Sequence, residues 1–361
     1  MSTSPFMTPG ESRRRREVSR RRRRMRAIAT CLLAVAIAGA LVVMGLASSH
    51  ATHSSSKAAH TTRGPEASAH AAPQLSPTGL QLGRPPLGLT GIGTPRQDPV
   101  RLAFHTPPRA GLLFNLGTGQ VLWQRNPYKH LEIASLTKMM TALITVKSAP
   151  AAALVRVTKQ AVNSDGSKVG VLPLGRRVRL ETMLYGLMLP SGNDAAMALA
   201  QHVARTPGRF VQEMNAEAAQ LGMGCTRYSS PSGYVDQGNH SCAADLAVLT
   251  HVDLEQPRIA RIAHTHSAAL PFPIKGGKLY LYNNNPLLIY GYPGTTGLKT
   301  GYTAAAGRCL VATAARHGVR LGVVLLDSPD PATQATRLLN RGFERVYHLP
   351  PVPERPIPAG A

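Results

Sequence analysis

Short apolar stretches that alternate with polar positions predict two β-hairpins, one at each end of a central region. The first hairpin pairs residues 110–115 with 120–124 across Gly117-Thr118-Gly119. The second pairs residues 308–315 with 320–326 across His317-Gly318. Two such stretches separated by a short glycine-containing turn are typical of neighbouring antiparallel strands. Both hairpins are therefore predicted to contribute to an antiparallel sheet.

Longer segments, with apolar residues three or four positions apart, predict helices between the two hairpins and after the second. The predicted helices cover residues 135–146, 180–189, 194–205, 207–221, 243–252 and 332–347. Strands at both ends of a region with helices between them indicate an α+β fold. We therefore expect an antiparallel sheet that carries a helical layer.

An uncharged apolar run at residues 27–47 follows a cluster of ten arginines. About 20 apolar residues span a bilayer, and the positive-inside rule keeps arginines on the cytoplasmic side. We expect residues 1–26 to be a basic cytoplasmic segment and 27–47 a single transmembrane anchor in the cell membrane, with an extracytoplasmic domain beyond it. Cleavage of the run as a signal sequence, which would release a secreted protein, is the alternative.

The regions on either side of the central domain lack a sustained apolar period. Residues 48–100 are rich in Ser, His, Thr, Pro, Gly and Ala, which predicts a flexible linker. Residues 349–361 carry five prolines and predict a short extended tail, so membrane tethering is expected from the N-terminal run. The folded domain is therefore predicted at residues 101–348. The linker histidines are irregularly spaced without Cys or carboxylate partners, and no metal site is expected.

The formal net charge of +23 raises the question of nucleic-acid binding. The arginine cluster before residue 27 accounts for a large part of that charge and is explained by membrane topology. Aromatic residues make up 5% of the chain, and none alternate with the arginines in a stacking pattern. We therefore expect no nucleic-acid partner. The remaining positive charge would attract an anionic polymer such as a cell wall.

Three of the four cysteines follow the apolar run. In an oxidising compartment Cys225 and Cys242 can form a disulfide, which would leave Cys309 within a predicted buried strand. Three reduced, buried thiols are the alternative. The sequence leaves both open.

Ser135 and Lys138 are three residues apart near the start of the first predicted long helix. This spacing puts both side chains on one helical face, so the amine can reach the hydroxyl. Serine becomes a nucleophile when a base removes its proton, and a lysine buried beside another cation can be neutral enough to do so. Alone, this motif more often reflects a helix-capping serine and a surface lysine.

Two later segments offer complementary groups. In Ser191-Gly192-Asn193 the central glycine allows a hydroxyl and an amide to face one cleft, the first to pass on a proton and the second to hold a substrate amide. The segment from Lys299 to Tyr302 has the pattern of a strand that lies against a ligand. Lys299 would supply positive charge there, Thr300 a hydroxyl for a carboxylate, and Gly301 room for close approach.

The trio Ser-x-x-Lys, Ser-x-Asn and Lys-Thr-Gly occurs here in the order found in penicillin-binding proteins and class A β-lactamases. Across about residues 110–345 the chain resembles the D-alanyl-D-alanine carboxypeptidases of the low-molecular-mass penicillin-binding protein type, the S11 peptidases. Matching segments surround all three motifs, as in Leu189-Pro190-Ser191-Gly192-Asn193-Asp194-Ala195-Ala196. The resemblance implies the transpeptidase fold shared by penicillin-binding proteins and β-lactamases, with an all-helical subdomain.

The resemblance also implies a role for each motif residue in cleaving a peptidoglycan stem peptide that ends in D-Ala-D-Ala. Ser135 would attack the peptide carbonyl with Lys138 as its base, and Ser191 would pass the proton to the leaving D-alanine. The acyl group's amide would bind Asn193, and the terminal carboxylate Lys299 and Thr300. Backbone N–H groups of Ser135 and Tyr302 would form the oxyanion hole. No cofactor or metal is expected, and the resemblance implies that β-lactam antibiotics would acylate the same serine.

Two positions depart from the pattern of the resembled family. Thr296 stands where the family often has an Asp, and Asn284 where some members carry an Arg near the substrate carboxylate. The alternatives are a β-lactamase or an endopeptidase on the same fold, and a non-catalytic wall-binding scaffold. The Glu-x-x-Leu-Asn segment that class A β-lactamases use for deacylation is absent from the sequence.

Overall fold

The computed structural model describes residues 75–234, 237–350 and 352. The predicted cytoplasmic segment (1–26), the predicted membrane run (27–47) and the linker up to residue 74 lie outside the described residues. In the described part of the chain, no helix combines the length and the apolar character needed to cross a bilayer.

A five-stranded antiparallel sheet forms the centre of the domain. Its strands are β1 (Ala110–Asn115), β2 (Val121–Arg125), β9 (Thr295–Thr303), β10 (Gly307–Arg316) and β11 (Val319–Leu326). They lie side by side in the order β2-β1-β11-β10-β9. Both predicted hairpins are present, and β1 pairs with β11, with Ala110 opposite Leu326. The first and the last strand along the described chain therefore pair with each other within the central sheet.

The remaining strands form two-stranded sheets outside the central one. The pairs are β3 (Leu131–Glu132) with β6 (His240–Ser241), β4 (Leu154–Arg156) with β5 (Arg177–Arg179), and β7 (Ser267–Pro271) with β8 (Lys278–Tyr282). The β7–β8 hairpin was not predicted, although β8 places leucine at every second position and the burial of its residues alternates accordingly. Its strands are exposed on one face and more buried on the other.

All six predicted helices are present, with ends shifted by at most three residues. The helices are α1 (Thr137–Ser148), α2 (Lys159–Val162), α3 (Leu180–Met188), α4 (Asn193–Ala204), α5 (Pro207–Gln220), α6 (Ala243–Glu255), α7 (Pro257–His264), α8 (Pro286–Ile289) and α9 (Pro331–Tyr347). Of these, α2, α7 and α8 were not predicted. Threonine side chains cap α2 and α5, and Asp330 caps α9 by accepting a hydrogen bond from Thr333 N.

The central sheet separates two hydrophobic cores because successive side chains of a strand point to opposite faces. Leu112 and Phe114 of β1 belong to the larger core. That core also includes buried residues of the helices that lie between β2 and β9 in sequence. Leu113, between them in sequence, belongs to the smaller core under α9. Helices α1 to α5 pack against one another and form the predicted all-helical subdomain. The predicted α+β fold class is confirmed.

The prediction of a flexible linker over 48–100 is wrong for residues 75–100. This segment packs on the folded domain, with Leu87 in the larger core and Val100 in the smaller. Asp98 is buried and accepts hydrogen bonds from both the backbone and the side chain of Gln124. A few buried apolar residues and the hydrogen-bonded carboxylate of Asp98 hold this segment on the domain, although its composition is that of a linker.

The start of the predicted proline-rich tail also contacts the domain. Leu349 packs against the smaller core, and its N–H donates to Phe343 O at 3.0 Å. Arg316 donates to Pro350 O at 2.6 Å. The rest of the tail, apart from Val352, lies outside the described residues.

Candidate active site

Ser135 lies in a single 3₁₀ turn, Ala134–Leu136, that leads directly into α1. Ala134 has a φ of 46°, a conformation that alanine seldom adopts and that the surrounding structure must hold. The turn places the half-buried Ser135 at the N-terminal end of α1, where the helix dipole is positive. One turn further along, Lys138 Nζ donates to Ser135 Oγ at 2.7 Å.

The Lys138 amine is fully buried and makes a second hydrogen bond, to the carbonyl oxygen of Ser232 at 2.8 Å. Burial holds the pKa of Lys138 well below its ordinary value, and the positive charge of Lys299 lowers this pKa further. The negative charge of Asp194 acts in the opposite direction, but is the smaller effect. A lysine in this position can therefore exist as the neutral amine that proton abstraction requires.

Ser191 and Asn193 follow the end of α3, which stops at Met188, two residues before Pro190. Ser191 has a φ of 65°, and Asn193 begins α4. Among the described residues, the buried Ser191 Oγ and Asn193 Oδ1 have no hydrogen-bond partner. Buried polar groups are normally paired, so these two atoms are available to a ligand. The other amide atom, Asn193 Nδ2, donates to Asp165 O at 2.5 Å.

Asp194 connects the second motif to a neighbouring loop, and the sequence did not mark it as a site residue. Its carboxylate accepts hydrogen bonds from Val169 N at 2.9 Å and Gly170 N at 3.0 Å. The loop is further fixed by the bond from Asn193 N to Ser167 O at 2.7 Å. These bonds place Ser167 on the wall of the cleft that contains Ser135.

The third motif lies on β9. Lys299 is buried, donates to Thr300 O at 3.0 Å, and has a pKa lowered by burial to about 7. Thr300 Oγ1 donates to Asn284 Oδ1 at 2.9 Å. Asn284, one of the two departures from the resembled pattern, is thus hydrogen-bonded to the motif threonine. The other departure, Thr296, lies 2.8 Å from Thr313, hydroxyl to hydroxyl.

Gly301 allows β9 to pass close to the backbone around Ser135. A Cβ atom at this position would lie 3.0 Å from Ile133 O and 3.1 Å from Ser135 N. Both distances are tighter than ordinary van der Waals contact. The absence of a side chain therefore lets β9, the strand that carries Tyr302, run alongside the N–H of Ser135. The N–H groups of Ser135 and Tyr302 are the two to which the family resemblance assigns the oxyanion hole.

The three motifs meet in one open cleft. It is lined by Ser135, Ser167, Ser191, Asn284, Pro286, Thr300, Gly301, Tyr302, Arg308, Cys309, Leu310 and Pro331. A neighbouring depression shares Ser135 and Tyr302 and adds Asn193 and Tyr234. Lys138 and Lys299 lie buried beneath this surface. The structure thus brings together all eight residues that the sequence selected, although they are distributed over 168 positions.

A disulfide joins Cys225 and Cys242, which decides between the two cysteine states that the sequence left open. Cys309 is buried in β10, as the sequence indicated. The disulfide closes the base of the segment 226–241, whose described residues are 226–234 and 237–241.

The segment 226–241 contacts one side of α1. The carbonyl of Ser232 accepts the hydrogen bond from the Lys138 amine described above. Pro231 O accepts a bond from Thr141 Oγ1 at 2.6 Å, and Asn239 Nδ2 donates to Thr137 Oγ1 at 2.9 Å. The position of the lysine amine therefore depends on a backbone carbonyl, for which the sequence offered no side-chain signal.

This fold and cleft define a serine acyl-transfer enzyme of the penicillin-binding class, and solved structures of that class match the chain. The Streptomyces K15 DD-transpeptidase is 29% identical with a TM-score of 0.63, covering 67% of this chain and 99% of that one. A D-alanyl-D-alanine carboxypeptidase from Mycobacterium tuberculosis H37Rv is 32% identical with a TM-score of 0.64, covering 69% of this chain and 95% of that one.

The family model of the S11 peptidases, described as D-alanyl-D-alanine carboxypeptidase, matches residues 105–330. D-alanyl-D-alanine carboxypeptidase DacB2 of M. tuberculosis is 36% identical over 66% of this chain and 82% of its own length. DacF of Bacillus subtilis is 31% identical over 68% of this chain, which spans 64% of that relative's length. The chain therefore belongs to the D-alanyl-D-alanine carboxypeptidase family, as the resemblance predicted, and is a serine hydrolase.

Proposed function

We propose that this chain removes the terminal D-alanine from peptidoglycan stem peptides through an acyl-enzyme on Ser135, and that β-lactams acylate the same residue. One observation carries the proposal. The amine of Lys138 lies 2.7 Å from the Ser135 hydroxyl, in surroundings that lower its pKa and favour the neutral base.

In the first step, the neutral Lys138 Nζ accepts the hydroxyl proton as Ser135 Oγ bonds to the carbonyl carbon of the penultimate D-alanine. The carbonyl π electrons move to its oxygen, and the N–H groups of Ser135 and Tyr302 stabilise that charge. Donors placed where charge develops are commonly the largest single contribution to such a rate. Asn193 holds the amide of the acyl portion, and Lys299 and Thr300 hold the terminal carboxylate.

In the second step, the C–N bond breaks and its electron pair stays with the leaving nitrogen. The proton taken by Lys138 reaches that nitrogen through Ser191 Oγ, so D-alanine leaves as a neutral amine. Water then adds to the ester, Ser135 regains its proton, and the shortened peptide leaves as a carboxylate. A β-lactam follows the same first step, but its broken C–N bond lies in a ring, so the amine stays attached.

Incubation with benzylpenicillin followed by intact-mass measurement tests the nucleophile. We expect one covalent adduct on the wild-type chain and none on Ser135→Ala. A D-alanine release assay with a pentapeptide substrate tests the reaction. A wild-type chain that forms no adduct contradicts the proposal and favours a non-catalytic scaffold.

Two other outcomes point to the alternative activities. Rapid loss of the adduct with bulk consumption of penicillin would indicate a β-lactamase. Cleavage of cross-linked dimers without D-alanine release from the pentapeptide would indicate an endopeptidase.

For location, we propose a single membrane anchor at residues 27–47 with the catalytic domain on the extracytoplasmic side. The arginines before the apolar run support this orientation. The Cys225–Cys242 disulfide supports an oxidising compartment. Expression of the full chain and of a version beginning at residue 48 behind a cleavable secretion signal tests the anchor. The first should sediment with membranes and the second should not; equal sedimentation of both would contradict the proposal.

A further inference from the structure

Arg308 lies on the wall of the cleft, but none of the three motifs includes it. It is the second residue of β10 and pairs with Tyr302 across the sheet, while Leu310 pairs with Thr300. Side chains two positions apart on a strand share a face. Arg308 and Leu310 therefore lie on the same side of the sheet as Thr300 and Tyr302, and all four line the cleft.

In an antiparallel pair, the diagonal neighbour of a residue lies about 7 Å away, within reach of a long side chain. Arg308 is the diagonal neighbour of Thr300 by the register of β9 and β10. Its Nη1 donates to Pro329 O at 3.1 Å, which holds the guanidinium near the start of α9. This single bond leaves the other nitrogens of the fork for a ligand.

The charge of Arg308 is not neutralised by the protein. Within the described ranges, no Asp or Glu oxygen lies within 4.0 Å of its nitrogens. The nearby motif cation Lys299 is buried, and its amine is bound to a carbonyl oxygen. Asn284, which contacts Thr300, is uncharged. Arg308 is thus a half-buried cation without an acidic partner in the described ranges, and it lies on the wall of the cleft beside Thr300.

We propose that Arg308, together with Thr300, binds the terminal carboxylate of the acyl donor and thereby selects substrates that end in a free carboxylate. The inference rests on the proposed function and deepens it. The planar guanidinium can bind both oxygens of a carboxylate, an arrangement that a point charge such as an ammonium group does not reproduce. Arg308 thus takes the position of anion receptor that Asn284 cannot fill.

Acylation by benzylpenicillin and by its carboxylate methyl ester tests this assignment. The two compounds share the reactive ring and differ in the negative charge. We expect the wild type to react faster with the acid, and Arg308→Ala to lose about 10- to 100-fold of the rate with the acid, as for a hydrogen bond to a charged group. The rate with the ester should stay within about twofold. Time courses of adduct mass give both rates.

Arg320→Ala is the matched control, because Arg320 lies on the adjacent strand β11, is exposed, and pairs with Glu255 outside the cleft. It should keep the wild-type ratio of acid to ester rates. Arg308→Lys should give an intermediate ratio, since it keeps the charge and loses the fork. The ratio is measured within one protein sample and does not depend on how much of a variant is folded.

An unchanged ratio in Arg308→Ala overturns the inference, whether both rates fall together or neither falls. That result leaves the proposed function standing, since adducts still form. A wild-type chain that forms no adduct with either compound overturns the proposed function and this inference with it.

Discussion

Lys138 and Lys299 are both buried beneath the cleft, and the positive charge of Lys299 lowers the pKa of Lys138. Two lysines on separate motifs are thereby coupled. Lys299 itself has a pKa of about 7, lowered by burial. The coupling supports different roles for the two amines, with Lys138 as the proton acceptor and Lys299 as the positive charge.

This coupling predicts how acylation depends on pH. The rate should fall as the pH drops through the lowered pKa of Lys138, because the protonated amine can no longer accept the Ser135 proton. Replacing Lys299 by Met removes a neighbouring positive charge, which raises the pKa of Lys138. The acidic limb of the benzylpenicillin acylation rate should therefore move to higher pH in Lys299→Met, alongside a lower maximal rate.

Lys147→Met serves as the control for this shift, because Lys147 is exposed and pairs with Glu217 at 2.8 Å, outside the cleft. Its pH profile should match that of the wild type. If the acidic limb of Lys299→Met stays in place while the maximal rate falls, Lys299 acts on the substrate without influencing the base.

Ser191→Ala should slow turnover without destabilising the fold. The Ser191 hydroxyl is buried and has no hydrogen-bond partner among the described residues, so its removal breaks no bond in the free protein. A lost proton relay costs about 10²- to 10⁴-fold in rate. D-alanine release and thermal unfolding measure the two effects. Ser267→Ala, on the exposed face of β7, is the control and should change neither. Wild-type turnover in Ser191→Ala would remove this residue from the mechanism.

Gly301→Ala should slow acylation by about tenfold or more, because misplacement of reacting groups by a fraction of an ångström to one ångström is costly. The added Cβ would press on Ile133 O and Ser135 N, and so push β9 away from the serine. Gly208→Ala in α5 is a matched control, since its Cβ would meet nothing within 4 Å. Acylation rates with benzylpenicillin compare the two. Equal rates would show that the strand tolerates the shift.

Loss of the Cys225–Cys242 disulfide should affect both stability and acylation. Opening a loop of this length costs about 3 kcal/mol in the free energy of unfolding. The segment that the disulfide closes supplies the Ser232 carbonyl to Lys138, so acylation should slow as well. Thermal unfolding and adduct formation, measured with and without reductant, test both effects.

The double variant Cys225→Ala/Cys242→Ala provides the control for the reductant. It should resemble the reduced wild type and should not respond to reductant itself. A lower unfolding temperature with an unchanged acylation rate would mean that the contacts with Thr137 and Thr141 hold the segment without the disulfide.

The spacing of apolar residues predicted the sheet and the longer helices, because in these elements the apolar positions are the ones that are buried. Residues 110–115 and 320–326 have the pattern of strands and form the sheet's centre. The same reasoning failed for residues 75–100, where order comes from isolated anchors such as Leu87 and from the Asp98–Gln124 hydrogen bonds. Leu87 belongs to no regular spacing of apolar residues, and Gln124 is distant in sequence from Asp98. Composition could therefore not identify these contacts.

The motif side chains could be selected from the sequence because their chemistry follows from their residue types. The groups around them could not. The Ser232 carbonyl is a backbone group, and every residue has one. It lies beside the Lys138 amine because of the course of the whole segment 226–241, which the sequence does not show. Arg308 lies near Thr300 because of the register in which β9 and β10 pair. The amino-acid sequence between these two residues does not show that register. Asp194 was visible within the matching segment, but its hold on the loop at residues 169–170 was not.

The burial of Lys138 and Lys299 also affects how the protein can be handled chemically. Every other lysine of the described ranges is exposed, while these two are at most 1% accessible. Reagents that couple to surface amines should therefore modify the periphery and leave both site lysines untouched. The folded domain can then be attached to a bead or sensor through its lysines, and the captured chain should retain the nucleophile and base needed to report a β-lactam in solution.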